Sequence, residues 1–292
     1  MKTENNFERI VNDSENAHEE KPSRDGSSPI YDRDAKTLVY GLYPQTHVSD
    51  EKLVSELEKL SPSANVWSLY EGRYYAKCIA KPNNDGFACL EFDDGSSIVN
   101  GQAYWFRCDP IEWRVLSITD GICLVVSRYL LDAHRYHKRS NGYSKSEIRK
   151  WLNGDFLNAA FPPNDSFVQT TEVDNSERTT CENCNEYACE DTKDKVFLLS
   201  CKDYKSADYF ADDASRKCKT TDWARANGAS YGAGLDPFTG LYWTRSPNSY
   251  DSEAAWCVDG NGAVNNDPDY GCVAFLEISV RPSLRIKLPQ ND

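Results

Sequence analysis

Residues 103–126 read AYWFRCDPIEWRVLSITDGICLVV, and no other stretch constrains the fold as much. Trp113, Val115 and Ile118 fall in one apolar run. Asp120-Gly121 follows, a dipeptide that accepts the left-handed φ of a tight hairpin loop, and ICLVV supplies the return strand. A hairpin of this length commits the chain to an antiparallel sheet. RYYAKCIA (73–80) and KVFLLSC (195–201) read as further strands, and short strands and turns run from 241 to the closing SVRPSLRIKL (279–288).

Helical periodicity is scarcer. SDEKLVSELEKL (49–60) sets Leu53, Leu57 and Leu60 on one face. SKSEIRKWLNGDFLNAAF (144–161) predicts the best helix, with Ser144 and Glu147 as a capping box and Ile148, Trp151 and Leu152 on a buried face. TTDWARANG (220–228) predicts a short helix with a Thr cap and Gly228 as its stop. Residues 164–194 are polar and cysteine-bearing, so they read as a surface excursion. Residues 1–36 are polar with few aromatics and read as a disordered tail. The expectation is an α+β fold, with small twisted antiparallel sheets and two or three helices in a single domain over 37–290.

The chain has 292 residues and a net charge of −13. An acidic balance argues against nucleic acid as a partner, because phosphate binding wants clustered Lys and Arg. No run of 18 apolar residues appears, so no membrane insertion is expected. The first 20 residues carry no apolar signal-peptide core, which points to a cytoplasmic location. Eleven cysteines is an odd count, better suited to reduced thiols than to a disulfide framework.

Few motifs carry chemistry. Residues 257–272, CVDGNGAVNNDPDYGC, place Asp259 and Asn261 as in a calcium-binding loop, but Ala263 stands where an oxygen ligand belongs. No cofactor is expected. An irregular calcium site from Asp259, Asn265, Asp267 and Asp269 is the alternative to plain polar turns. Cys181 and Cys184 have metal-type spacing, and Cys189, Cys201 and Cys218 are available to complete a zinc set, yet the second regular pair is missing. His134 and His137 lack an acidic neighbour in sequence and read as loop residues. Arg107, Glu112 and Arg114 flank buried aromatics and suggest an ion pair across the sheet. No nucleophile elbow, P-loop or dinucleotide fingerprint is present, so no catalytic residue is assigned.

The ordered series PIEWRVLS, a DG turn, LVVSRYLLDAHRY, SEIRKWLNGDFLNAAF, TTEVDNS, YACEDTKDKVFLLS, RKCKTTDWARANGA, YWTRSP and SVRPSL resembles the bacterial family catalogued as domain of unknown function 6273, over about 38–288. YWTRSP followed by VRPSL is also similar to the bacterial C-type-lectin-like fold of formylglycine-generating enzymes and retroelement-diversified variable proteins. By that resemblance Trp243, Arg245, Arg281 and Pro282 are structural, with the arginines tying loops to the sheet. The polar loops between would form a ligand surface of Asn248, Tyr250, Asp251, Asn261, Asn265, Asn266, Asp267, Asp269 and Tyr270, residue types common in binding loops. The expectation is a non-catalytic module recognising a protein, peptide or glycan. The alternatives are a cysteine oxidase like the formylglycine-generating enzymes, using Cys257 and Cys272, or a structural accessory domain.

Overall fold

The computed structural model describes residues 28–60, 67–83, 90–182, 184–232, 236–276 and 278–289. Its spine is the strand Ala103–Thr119, which turns through Asp120 (φ 51°) and Gly121 (φ 74°) into Ile122–Ser127. Seventeen residues is about three times the usual strand length. The spine serves two neighbours in succession, pairing Arg73–Ile79 through its first part and Ile122–Ser127 through its last, with Thr37–His47 along the other edge. Register shifts near Val39–Leu42 and Val115–Ser117 bend it, as bulges do. The main sheet continues through Ser283–Lys287 to Val196–Phe197, and its pairings are antiparallel.

A second sheet runs Val264–Asn265, Ala255–Val258, Tyr242–Pro247, Ser279–Val280, Asp132–Ala133, with one parallel pairing at Tyr242 and Ser279. All six residues of Tyr242–Pro247 are buried, because this central strand has layers on both faces. The fold is therefore mixed α+β with predominantly antiparallel sheets.

Trp113 is fully buried, and its indole N–H donates to the Tyr40 carbonyl at 2.8 Å. Much of the surrounding backbone is irregular, and its buried carbonyls need donors. Arginines supply them. Arg245 reaches the Asp174 carbonyl through Nε and Nη2 (3.3 and 3.2 Å), and the Leu198 carbonyl and Asp203 carboxylate through Nη1 (3.0 and 2.9 Å). Arg281 donates from Nε to Ser127 and from Nη1 to the Arg216 carbonyl and Tyr242 hydroxyl. Trp243 is also fully buried, with its indole N–H on the His134 carbonyl, and Pro282 is buried beside Arg281.

Several sequence expectations change. The folded part begins before residue 37: Ile30–Asp32 pairs with Thr37–Val39 because the Asp32 carboxylate accepts the Asp34 and Ala35 amides and closes a turn. Residues 1–27 of the expected tail lie outside the described residues. The cap of the 144–161 helix is Ser146, whose hydroxyl accepts from the Arg149 amide, while Ser144 sits in a preceding 3-10 turn. That helix then widens into a π turn at Leu152–Phe156, around Gly154. KVFLLSC is a strand only at Val196–Phe197, since Ser200 and Asp203 form a capping box that starts Cys201–Lys205 as a helix. One-turn helices at Asp213–Arg216 and Pro268–Gly271 also raise the helix count above three. The 164–194 excursion is tied down by Thr171–Val173 pairing with Thr192–Asp194. The ion pair across the sheet is partitioned differently: Arg107 bonds Asp109, Glu112 meets Arg128 at 3.4 Å, and Arg114 donates to the Ser215 and Tyr209 carbonyls.

Lysine keeps the charge of Arg245 but not its fork. Arg245→Lys should orphan at least one buried carbonyl and cost about 2 kcal/mol or more in urea unfolding. A loss below about 0.5 kcal/mol would contradict the clamp.

Candidate functional site

The polar C-terminal stretch is built from side-chain-closed turns. Asn248 Oδ1 accepts the Tyr250 and Asp251 amides, Asp259 Oδ1 those of Asn261 and Ala263, Asn265 Oδ1 that of Asp267, and Asp267 Oδ1 that of Asp269. These are the local bonds for which Asn and Asp are favoured in turns. Two glycines are obligatory. Gly262 has φ +89° and its missing Cβ would overlap the Asp213 carbonyl; a Cβ on Gly271 would overlap that of Ala255. Asn141, 1% exposed, holds the loop from beneath, its Nδ2 within 3.0 Å of the Asn248, Asp251 and Ala254 carbonyls. Nothing in the sequence marked this asparagine, which lies more than 100 residues upstream.

The nine predicted surface residues therefore divide. Asn248 is buried and bonds Asn266 through that residue's carbonyl, so it supports the surface rather than forming it. Asp251, Asn265 and Asn266 are partly buried. Asn261, Asp267, Asp269, Tyr250 and Tyr270 are exposed, Tyr250 at 83%. Tyr250 and Asn266 line one cleft of about 660 Å³, with Ser249, Trp256, Cys181, Glu182, Cys184 and Glu186 as the remaining wall. Glu182 joins the two sides, accepting from the Asn185 side chain at 2.7 Å and from the Ser249 amide at 3.4 Å. Trp256 is 5% exposed, and its buried indole N–H finds no acceptor among the described residues. Lys205 Nζ lies 4.7 Å from the Trp256 ring centroid.

The cysteines of this wall are not equivalent. Cys181 is held below the ordinary thiol value, first by a hydrogen bond with the Cys201 thiol and further by the Lys205 charge. Burial pushes Cys201 well up. Cys257 is fully buried and pushed up for the same reason. Cys272 lies opposite Ala254, three residues from Cys257 along the strand, and both are free thiols rather than a disulfide. Among the described residues no group of three or more His, Cys, Asp and Glu is placed to hold a metal. That covers Cys181, Cys184, Cys189, Cys201 and Cys218; of the calcium candidates, Asp259, Asn265 and Asp267 each turn one side-chain oxygen onto a backbone amide. His134 Nδ1 faces the Arg135 carbonyl and its ring stacks on Trp151; His137 sits 3.9 Å from Glu147.

A second concavity was missed by sequence reasoning. Tyr43, Trp67, Trp151 and Trp223 line a cleft of about 540 Å³, with Asp132 at its wall. Asp132 accepts from the Tyr43 hydroxyl (2.6 Å) and Trp223 indole (3.0 Å), and burial pushes its carboxyl up. The signal lay in the seven tryptophans, but only packing shows which are half-buried together.

The molecule is thus a mixed α+β fold whose clefts are lined by residues far apart in the chain. The family model for the domain of unknown function DUF6273 matches residues 120–288, more than half of the chain, and the chain belongs to that family. The match starts at the hairpin turn and so is narrower than the 38–288 read from the motifs. No curated protein and no solved structure matches the chain.

Peptide-resolved alkylation checks the thiol wall. Cys181 should reach half its maximal rate with iodoacetamide at a pH below the ordinary thiol pKa of about 8.5, and Lys205→Ala should move that midpoint up. A midpoint at or above the ordinary value would contradict the geometry.

Proposed function

We propose that this protein is a non-catalytic recognition module whose ligand, a peptide or glycan segment, lies in the cleft between Tyr250, Trp256 and the wall of Cys181, Glu182, Cys184 and Glu186. The observation that supports this is the cleft lining itself: Tyr250, 83% exposed, shares one cleft with Ser249, Asn266, Trp256 and Glu182. Exposed Tyr250 adds a rigid amphipathic contact at low entropic cost. The lectin-like scaffold expected from YWTRSP and VRPSL agrees with loops presented on a sheet, although such a scaffold would not by itself name the ligand. The aromatic cleft around Trp67, Trp151 and Trp223 favours a second reading, a sugar stacked on indole faces.

Diversification of the loops fits the same picture. Tyr250, Asn261, Asp269 and Tyr270 are exposed, while Asn248 and Asp259 close turns. Sequencing the gene across its source population should show substitutions at the first four positions and constancy at the other two; uniform constancy would remove this part.

The recognition reading is checked by screening the full chain on peptide and glycan arrays, then titrating the best binder. Tyr250→Ala and Trp256→Ala should each weaken it about tenfold or more, roughly 1.4 kcal/mol, with the melting temperature of Tyr250→Ala unchanged. Unchanged affinity in both would sink the cleft as the site. Loss only with Trp151→Ala or Trp223→Ala would shift the assignment to the aromatic cleft.

A further inference from the structure

The chain carries 33 Lys and Arg against 46 Asp and Glu, and six of those cations line one cleft of about 670 Å³. Lys36, Arg114, Arg128, Lys217, Lys219 and Arg281 come from separate turns and strands across the whole chain. One acidic residue, Asp208, lines the same cleft. Beyond the Lys217-Cys218-Lys219 segment, which supplies two of the six, the convergence is tertiary.

The deeper pair is the informative one. Arg281 is 3% exposed, and among the described residues neither it nor Arg114 is within ion-pair distance of a carboxylate. Their donors go to neutral carbonyls and the Tyr242 hydroxyl, and the Phe210 ring lies 4.7 Å from one guanidinium and 5.8 Å from the other. Arg281 Nη2 makes no hydrogen bond among the described residues. Buried cations are ordinarily paired with a counter-charge. Burial and, after it, the Arg281 charge depress the Arg114 pKa, whereas at Arg281 burial is outweighed by Cys218, Tyr242 and Tyr204, which push its own pKa up. At the mouth, Lys36 and Lys217 form no ion pair within 4 Å among the described residues, although Asp236 senses the Lys217 charge, while Arg128 and Lys219 pair with Glu112 and Asp236.

We propose that this cleft is an anion site that takes the phosphate group of a small phosphorylated ligand. Four cations outside ion-pair distance of any described carboxylate call for more than the single charge of a carboxylate ligand, and a phosphate monoester brings close to two. Arginine forks match phosphate oxygens in pairs, with the lysines acting as point charges. Tyr129 and Tyr209 on the same lining offer rings for the organic part of the ligand. The overall negative charge opposes a nucleic-acid strand, which must lie along an extended surface, but does not oppose a small ligand that enters one cleft. This site is independent of the loop cleft around Trp256.

The test is calorimetric titration of the full chain with inorganic phosphate and with phenyl phosphate, at constant ionic strength set by chloride. Saturable binding of both is expected, with phenyl phosphate tighter. The double variant Lys36→Ala, Lys217→Ala touches mouth residues only and should fold normally, verified by an unchanged melting temperature. It should weaken both ligands by about tenfold, while Lys59→Ala at the distant helix Glu51–Glu58 leaves them unchanged. Arg114→Gln should weaken them further. Absence of binding at 10-millimolar order, about the weakest useful affinity, or affinity equal in the double variant, overturns the proposal. Tight, steeply salt-dependent binding of a single-stranded oligonucleotide in preference to phenyl phosphate also overturns it, in favour of nucleic acid.

Discussion

The structure depends on buried guanidinium groups bonded to backbone carbonyls. The two sheets are joined by long irregular segments whose carbonyls cannot all be satisfied by ladder partners. Arg245 reaches from the most buried strand to Asp174, Leu198 and Asp203, and so fixes the cysteine-bearing excursion and the start of the helix Cys201–Lys205 in one frame. Arg281 does the same for Ser127 and Arg216. Arg225, fully buried, donates to the Thr220 carbonyl and pairs with Asp93 and Asp222. A planar guanidinium holds five donors in a fixed fork and closes several gaps at once, where lysine has three donors on one nitrogen and serine one.

That frame explains why the clefts have the character they do. The loop cleft has walls from segments far apart in sequence, and it keeps its shape because Asn141 and Glu182 bond its turns from below and from the side. The basic cleft exists because two clamp residues, Arg114 and Arg281, also face an opening. A residue type chosen for its donors toward carbonyls brings its charge with it, and a cleft lined by that charge becomes chemically useful.

The sequence made local features legible and left tertiary ones hidden. The hairpin at Asp120-Gly121 was readable because a two-residue turn needs positive φ at both positions. Thr221 as a cap and Gly228 as a helix stop were readable for equally local reasons. The cap at Ser146 was misplaced by two residues because Ser144 and Glu147 match the capping box while Ser146, with Arg149 three residues on, does not, and only the 3-10 turn before the helix reveals the true start. Ser200 within KVFLLSC was read through as strand, although with Asp203 three residues later it is a capping signal. Within 248–270, composition marked the polar turns, but which asparagine closes a turn and which faces outward depends on hydrogen bonds that composition does not contain. The aromatic cleft and the basic cleft were invisible for the same reason: their members meet only after folding.

The central claim is that residues 247–271 divide into a frame that closes turns and a face free to contact a ligand. Saturation mutagenesis of this stretch, read by resistance of the folded chain to proteolysis, tests it directly. The expected result is broad tolerance at Tyr250, Asn261, Asp269 and Tyr270, with intolerance at Asn248, Asp259, Gly262 and Gly271. Equal intolerance at both sets would mean that the whole stretch is structural, and would contradict the account.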